Sequence, residues 1–254
     1  MFIEERHKYI LDCLDRDGKI LVKDLSNKFN LSESMIRKDL QVLEKQNLLK
    51  RTYGGAIKVK RKLMKEISYV NRMENDLEIK EVVAKKAFDM INDNDTIFLD
   101  ASSISYSIAK LISMENKSLT VITNMIIISS VLENSENVNL IFIGGDYSSI
   151  AGGCIGSHSI EQIKNYHCNK AFVGCVGINL EDGTLSTTLS EDANTKKAIM
   201  NTSKERYLLI LNERFIIDGT YNFATINEFD SIISEAEPNK SILEELMKYD
   251  VHII

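Results

Sequence analysis

Ser34, Arg37, Lys38 and Gln41 are separated by three, one and three residues, the spacing that places side chains on one face of an α-helix. All four offer hydrogen bonds to base edges or phosphates in a major groove. The same stretch carries Ile36, Leu40 and Leu43 on its other face, so apolar residues would hold the helix while polar ones read. Ser32 has the hydroxyl that caps an orphan amide, which sets the expected helix start near Glu33. Upstream, Val22, Leu25 and Phe29 form another apolar stripe at helical spacing, and Asn30-Leu31 provide the turn between the two. Downstream, Leu48-Leu49 runs into Lys50-Arg51-Thr52-Tyr53-Gly54-Gly55-Ala56-Ile57, which begins apolar, becomes basic and turns at a Gly-Gly pair. That run reads as a small hairpin or wing bearing Arg51, Tyr53 and Gly54. An earlier helix from Glu4 to Asp15, apolar at Tyr9, Ile10, Leu11 and Leu14 and stopped by Gly18, completes a small core.

A plain helical hairpin with a solvated charged face has the same periodicity, but the charge distribution favours a nucleic-acid partner. Residues 1–62 hold 15 Lys/Arg against 9 Asp/Glu, which leaves 16 against 28 in the remainder of the 254 residues. The head is therefore +6 and the body −12, and the overall −6 conceals a basic module suited to a phosphate backbone.

A second set of polar residues punctuates the body. Asp100-Ala101-Ser102-Ser103, Thr123-Asn124, Gly144-Gly145-Asp146 and Gly174-Cys175-Val176-Gly177 each follow a short apolar run: Thr96 to Asp100, Leu119 to Thr123, Val138 to Ile143 and Lys170 to Gly174. Such runs suit buried parallel strands. Helical stretches separate them, near Asn75 to Met90, Ser103 to Ser113, Met125 to Leu132, Gly156 to Tyr166 and Glu191 to Thr202. Further strands are expected at Tyr207 to Leu211, Ser231 to Ser234 and Val251 to Ile254. The pattern predicts an α/β fold, a doubly wound, mostly parallel sheet with helices on both faces. Ligands on such sheets bind outside the carboxyl ends of the strands, where helix N-termini present amides. Turn chemistry explains any one of these junctions; four together describe the rim of a pocket.

The first 57 residues, ERHKYILDCLDRDGK followed by VKDLSNKFNLSESMIRKDLQVLEKQNLLKRTYGGAI, resemble the N-terminal domain of the DeoR family of bacterial transcriptional regulators. The resemblance implies that Ser32, Glu33, Ser34, Arg37, Lys38 and Gln41 contact DNA from the second helix and Arg51, Tyr53 and Gly54 from the wing, while Asp39 serves structure. FLDASS, VITN, IFIGGDY, GCIGSHSIEQI and KAFVGCVGI resemble, in order, that family's C-terminal sensor domain, which is related to ribose-phosphate isomerases and binds phosphorylated sugars. Carried over residue by residue, Asp100, Ser102, Ser103, Thr123, Asn124, Gly144, Gly145, Asp192, Lys196 and Arg214 would face the effector. Lys196 and Arg214 would neutralise a phosphate, and Asp100 and Asp192 would accept sugar hydroxyls. Four places depart from the family: Ser102-Ser103-Ile104 in place of Gly then Thr-Thr, Asn179 for Asp, Asp192 for Glu, and Asn212-Glu213-Arg214 for Asp-Ser-Lys.

These readings predict a winged helix-turn-helix domain over 1–57, a linker over 58–75 containing the cation run KVKRKLMK, and an α/β effector domain over 76–254. The expected function is a repressor of a sugar-catabolism operon that binds double-stranded operator DNA as a homodimer or homotetramer under control of a phosphorylated sugar. A hydrophobic fraction of 44% with 27% charged residues is ordinary for a globular protein. No apolar leader or membrane-spanning run is present, so the expected location is the cytoplasm. Cys13, Cys154, Cys168 and Cys175 form no C-x-x-C pair, and neither a metal nor a cofactor is expected. Two rival functions share the fold. An isomerase-like enzyme would use Asp100 or Asp192 as base and Lys196 to stabilise an enediolate, but needs no DNA-binding head. A dinucleotide-sensing redox regulator would need a G-x-G-x-x-G turn, which the chain lacks. No catalytic residue is assigned.

Overall fold

In a computed structural model the chain is described over residues 2–45, 48–58, 62–64 and 66–254. It divides into two compact units, 1–61 and 62–254.

The first unit contains α1 (Ile3–Asp17), β1 (Lys19–Leu21), α2 (Val22–Phe29), α3 (Glu33–Lys45), β2 (Leu49–Thr52) and β3 (Gly55–Lys58). Helix α1 ends where Gly18 takes a left-handed φ of 70° and its amide bonds back to Leu14 O. Ile10, Leu14, Ile36, Leu40 and Leu43 are each at most 1% exposed and form the core with Val22, Leu25 and Leu49. Burying each such aliphatic side chain contributes about 2 kcal/mol against the unfolded chain. The strands pair antiparallel in the order β1-β3-β2. Strand β1 was not anticipated: in three residues only Ile20 is buried, too short a run for a period to register.

The second unit opens with β4 (Lys62–Leu63), α4 (Tyr69–Glu74) and α5 (Leu77–Asp89). β4 and α4 fall within the stretch 58–75 expected as a linker. β4 pairs in parallel with β14 (Ile217–Asp218), and α4 is capped by Ser68, whose Oγ accepts from Asn71 N. Residues 59–61 and 65 of the cation run lie outside the described residues.

β5 (Thr96–Leu99), α6 (Ser103–Met114), β6 (Leu119–Thr123), α7 (Ile126–Leu132) and β7 (Val138–Phe142) follow in alternation. A short hairpin, β8 (Asp146–Ser148) and β9 (Gly153–Ile155), precedes α8 (Ser157–Ile163) and β10 (Cys168–Gly174). Then come β11 (Gly177–Asn179), β12 (Thr184–Thr187), α9 (Ser190–Asn201) and β13 (Ser203–Leu209). The chain closes, after β14, with β15 (Tyr221–Thr225), β16 (Ser231–Ile233), α10 (Lys240–Leu246) and β17 (His252–Ile253).

Seven strands form one wholly parallel sheet in the order β17-β16-β13-β10-β5-β6-β7. Its central strands bury alternate residues in opposite cores. Phe98, Ala171, Val173 and Leu208 pack with α8, α9 and α10, whereas Ile97, Leu99, Phe172 and Leu209 pack with α5, α6 and α7. From β5 the chain first winds outward to β6 and β7, then returns to lay β10 on the other side of β5. The strand order therefore reverses between β5 and β10, where open α/β sheets leave a crevice. A separate antiparallel sheet, β11-β12-β15, was not expected from the sequence.

Candidate functional site

In the first unit, helix α3 starts at Glu33 with Ser32 Oγ accepting from Met35 N at 3.3 Å. Ser34, Arg37, Lys38 and Gln41 are all exposed, while Ile36, Asp39, Leu40 and Leu43 on the other face are buried. Asp39 is held there by a fork: it accepts from Arg6 Nε at 2.6 Å and Arg6 Nη2 at 3.0 Å, and contacts His7 Nε2 at 3.3 Å. The Asp39 hydrogen bond keeps the Arg6 guanidinium above its ordinary pKa despite burial. This pair locks α1 to α3 and fixes the angle at which the polar stripe faces outward.

The wing turns at Tyr53-Gly54, with Thr52 paired to Gly55 and Tyr53 fully exposed at the tip. Gly54 adopts a φ of 84°, and a Cβ on Gly55 would sit 2.0 Å from Ile20 O in β1, so the glycine pair serves both turn and close approach. Arg51 Nε bonds Glu44 Oε2 at 2.5 Å and its amide bonds Glu44 Oε1 at 2.8 Å, fastening wing to α3. Glu33 likewise pairs with Arg37 at 2.8 Å. Both are exposed pairs that cost little to open.

In the second unit, a cavity of about 140 Å³ lies at the carboxyl ends of β5, β10 and β13, at the strand-order reversal. Ala101, Ser102, Ser103 and Ile104 border it where β5 passes into α6, and Gly174, Cys175 and Val176 where β10 ends. The first amides of α6, at Ser103 and Ile104, precede any intrahelical acceptor. Thr187, Thr188, Asp192 and Lys196 close it from β12 and α9, with Arg214 from the turn after β13.

A buried ion pair stands behind this wall. Asp100 Oδ2 accepts from Lys196 Nζ at 2.5 Å and from Gly174 N at 2.9 Å, and Asp100 Oδ1 from Ser105 Oγ at 2.8 Å. Ser102 Oγ donates on to Ser105 Oγ at 2.8 Å. Asp192 lies 3.8 Å from Lys196 and accepts from Thr187 Oγ1. Burial works against the Lys196 charge, yet Asp100 and Asp192 hold its pKa above that of an ordinary lysine. Burial pushes the Cys175 thiol up to about 12, which leaves it unreactive near neutrality.

Of the ten positions carried over for the effector, Ser102, Ser103, Asp192, Lys196 and Arg214 border the cavity, and Asp100 supports it from behind. Thr123, Asn124, Gly144 and Gly145 do not line this cavity. Thr123 Oγ1 donates to Leu99 O and accepts from Met125 N, and Asn124 Nδ2 donates to Cys154 O. Gly144 bonds Gln162 and Ser159, and a Cβ on Gly145 would fall 2.4 Å from Ser159 Oγ. β9 meets the end of β6 through Cys154 and Asn124, and α8 meets Gly144 and Gly145 through Gln162 and Ser159. Asn179 also lies away from the cavity, capping its own turn by accepting from Glu181 N.

Sequence reasoning missed Arg72, Lys80 and Asp76, which line the cavity from the segment before β5. The sole signal was the polar run ahead of α5, which reads equally as a linker. Among the described residues no group of three or more His, Cys, Asp or Glu is arranged to hold a metal ion, and no helix is long and apolar enough to cross a membrane.

These two units together define a winged helix-turn-helix protein that carries a parallel α/β body with a polar cavity at its switch point. The DeoR-like helix-turn-helix domain matches residues 6–62, and the DeoR C terminal sensor domain matches residues 75–236. The chain belongs to the DeoR family of transcriptional regulators. It is 31% identical to the HTH-type transcriptional repressor GlcR of Bacillus subtilis (strain 168), over 100% of this chain and 96% of that protein. It is 29% identical to the lactose phosphotransferase system repressor of Lactococcus lactis subsp. lactis, over 97% and 96% of the two chains. It is 26% identical to the glycerol-3-phosphate regulon repressor of Escherichia coli (strain K12), over 98% and 97%.

Proposed function

We propose that this chain represses a sugar-catabolism operon in the cytoplasm, that its head, residues 1–57, grips double-stranded operator DNA, and that a phosphorylated sugar in the body, residues 76–254, governs the grip. The observation that carries the proposal is the exposed quartet Ser34, Arg37, Lys38 and Gln41 on α3, flanked by the wing tip at Tyr53 and Gly54. Ser32 and Glu33 at the helix start and Arg51 on the wing complete the DNA-facing set. A homodimer or homotetramer is part of the reading, because one head offers few base contacts and paired half-sites multiply affinity.

The names of the relatives support the sugar reading, since two of them denote a lactose phosphotransferase repressor and a glycerol-3-phosphate regulon repressor. Ser102, Ser103, Asp192, Lys196 and Arg214 are the proposed effector contacts. A coupling of about 1 to 3 kcal/mol between the sites is enough for a useful switch. The protein acts without catalysis in this reading. Both oxygens of Asp100 are engaged by Ser105, Gly174 and Lys196, which disfavours it as a general base.

The test is a gel shift of the full chain on DNA flanking its own gene, at low salt, with and without a panel of sugar phosphates. Sequence-specific retardation reversed by one of them is the expected result. Failure to retard any such fragment overturns the proposal.

A further inference from the structure

Helix α3 turns two large apolar side chains to solvent, Met35 at 45% exposed and Val42 at 41%. Neither packs with the apolar core of the head, which takes Ile36, Leu40 and Leu43 from the same helix. Helix α2, the other helix of the motif, exposes no large apolar side chain. One exposed apolar residue is ordinary on a protein surface. Two on α3 share one side of the helix, because seven residues make almost two full turns.

A rotation of about 100° per residue fixes the order of side chains around α3. From one margin to the other the exposed face passes through Arg37, Gln41, Ser34, Lys38, Val42 and Met35, and past Met35 the buried side begins at Asp39. The polar stripe thus has a guanidinium along one margin and hydrocarbon along the other. Met35 stands in the first turn, its amide bonded to Ser32 Oγ at 3.3 Å. The first turn of a recognition helix is the part that reaches base edges. Val42 lies about 10 Å further along the axis, on the part that contributes less to base contact.

Base edges in the major groove present hydrogen-bond donors and acceptors, with one hydrocarbon among them, the C5 methyl of thymine. A thioether side chain brought into that groove gives up water and recovers apolar contact only from such a methyl. Its three rotatable bonds let it settle on one without a strained rotamer. We propose that Met35 reads a thymine in each operator half-site through its C5 methyl, beside the hydrogen bonds made by the polar stripe. The inference rests on the assignment of α3 to DNA made above and extends it to a base preference carried by a side chain with no strong hydrogen-bonding group.

The probe is the duplex that the full chain enriches from a random-sequence pool, with each thymine replaced in turn by deoxyuridine. That exchange deletes the methyl and keeps every hydrogen-bonding group of the base. The unsubstituted protein should lose about threefold to tenfold in affinity at one thymine per half-site, the effect of one apolar group buried. Met35→Ala should bind the unmodified duplex more weakly by about the same factor and show no further loss at that thymine, while its melting temperature stays that of the parent protein. Met35→Leu, which restores a long apolar side chain, should regain sensitivity to the methyl, and Val42→Ala should never have lost it. A flat deoxyuridine scan in the unsubstituted protein overturns the proposal, as does an undiminished methyl effect in Met35→Ala or its disappearance in Val42→Ala; each of these leaves DNA binding by α3 standing. A pool that yields no preferred sequence overturns the operator reading and this proposal together.

Discussion

Arg6 on the first helix and Asp39 on the third meet through two N–H···O contacts of 2.6 and 3.0 Å, with both side chains under one tenth exposed. The polar stripe of α3 faces outward because this fork and the apolar side chains beside it face inward. Asp39, which the family resemblance assigns to structure and not to the DNA-reading set, is a bolt between helices.

Removing one partner leaves the other charge buried and unpaired, so Arg6→Met should destabilise the head by about 3 to 5 kcal/mol and abolish operator binding with the α3 surface untouched. Arg6→Met combined with Asp39→Leu should regain most of that loss. Urea unfolding of the single and double variants measures both, and a double variant as unstable as the single would show that the fork is not the cause.

Arg37 is exposed and its pair with Glu33 is of the solvent-facing kind. Arg37→Ala should change stability by less than about 0.5 kcal/mol. It should nonetheless weaken operator binding by about 1 to 3 kcal/mol. Gel-shift titrations beside thermal melts separate the two quantities. Unchanged operator affinity would remove Arg37 from the reading face.

A Cβ at Gly55 meets the backbone oxygen of Ile20 at 2.0 Å, and backbone yields less readily than a flexible side chain. Gly55→Ala should separate β1 from β3 and cost more than Gly54→Ala, where the φ of 84° imposes about 1 kcal/mol of strain in open space. Melting temperatures of the two variants rank them, and Gly54→Ala as the more damaging change would contradict the geometry.

Lys196→Met leaves Asp100 buried without its cation and should destabilise the body by about 3 to 5 kcal/mol. The Lys196 pKa is raised in the folded state, burial opposing and the two carboxylates outweighing it, so its contribution is complete below the unfolded value of 10.5 and fades as pH rises through the higher folded value. The stability gap between wild type and Lys196→Met should hence stay flat across neutral pH and narrow only in strong alkali. Chemical denaturation at several pH values tests this, and a gap that varies around neutrality would assign the pair a different protonation state.

Much of the head was legible because its information is local. Ile36, Leu40 and Leu43 against Ser34, Arg37, Lys38 and Gln41 is a helical period within one helix, and Tyr53-Gly54-Gly55 is a turn written in adjacent residues. In the body, apolar runs marked the strands of the central sheet, since strands buried on both faces need such runs whatever their neighbours. Thr123, Asn124, Gly144 and Gly145 looked like a pocket rim for the same local reason, yet Thr123 bonds Leu99 of β5, Asn124 bonds Cys154 of β9, and Gly144 bonds Gln162 and Ser159 of α8.

The amino-acid order alone determined the two modules, the reading helix and its wing, and the alternation of strand and helix, because each of these is a short-range pattern of polarity. Tertiary structure alone decided which strands adjoin, that Asp100 meets Lys196 across 96 positions, and that Arg72 reaches Ile150 and Ala151. Those contacts depend on the strand order reversing between β5 and β10 and on α4 settling against the body, and neither event leaves a periodic trace along the chain.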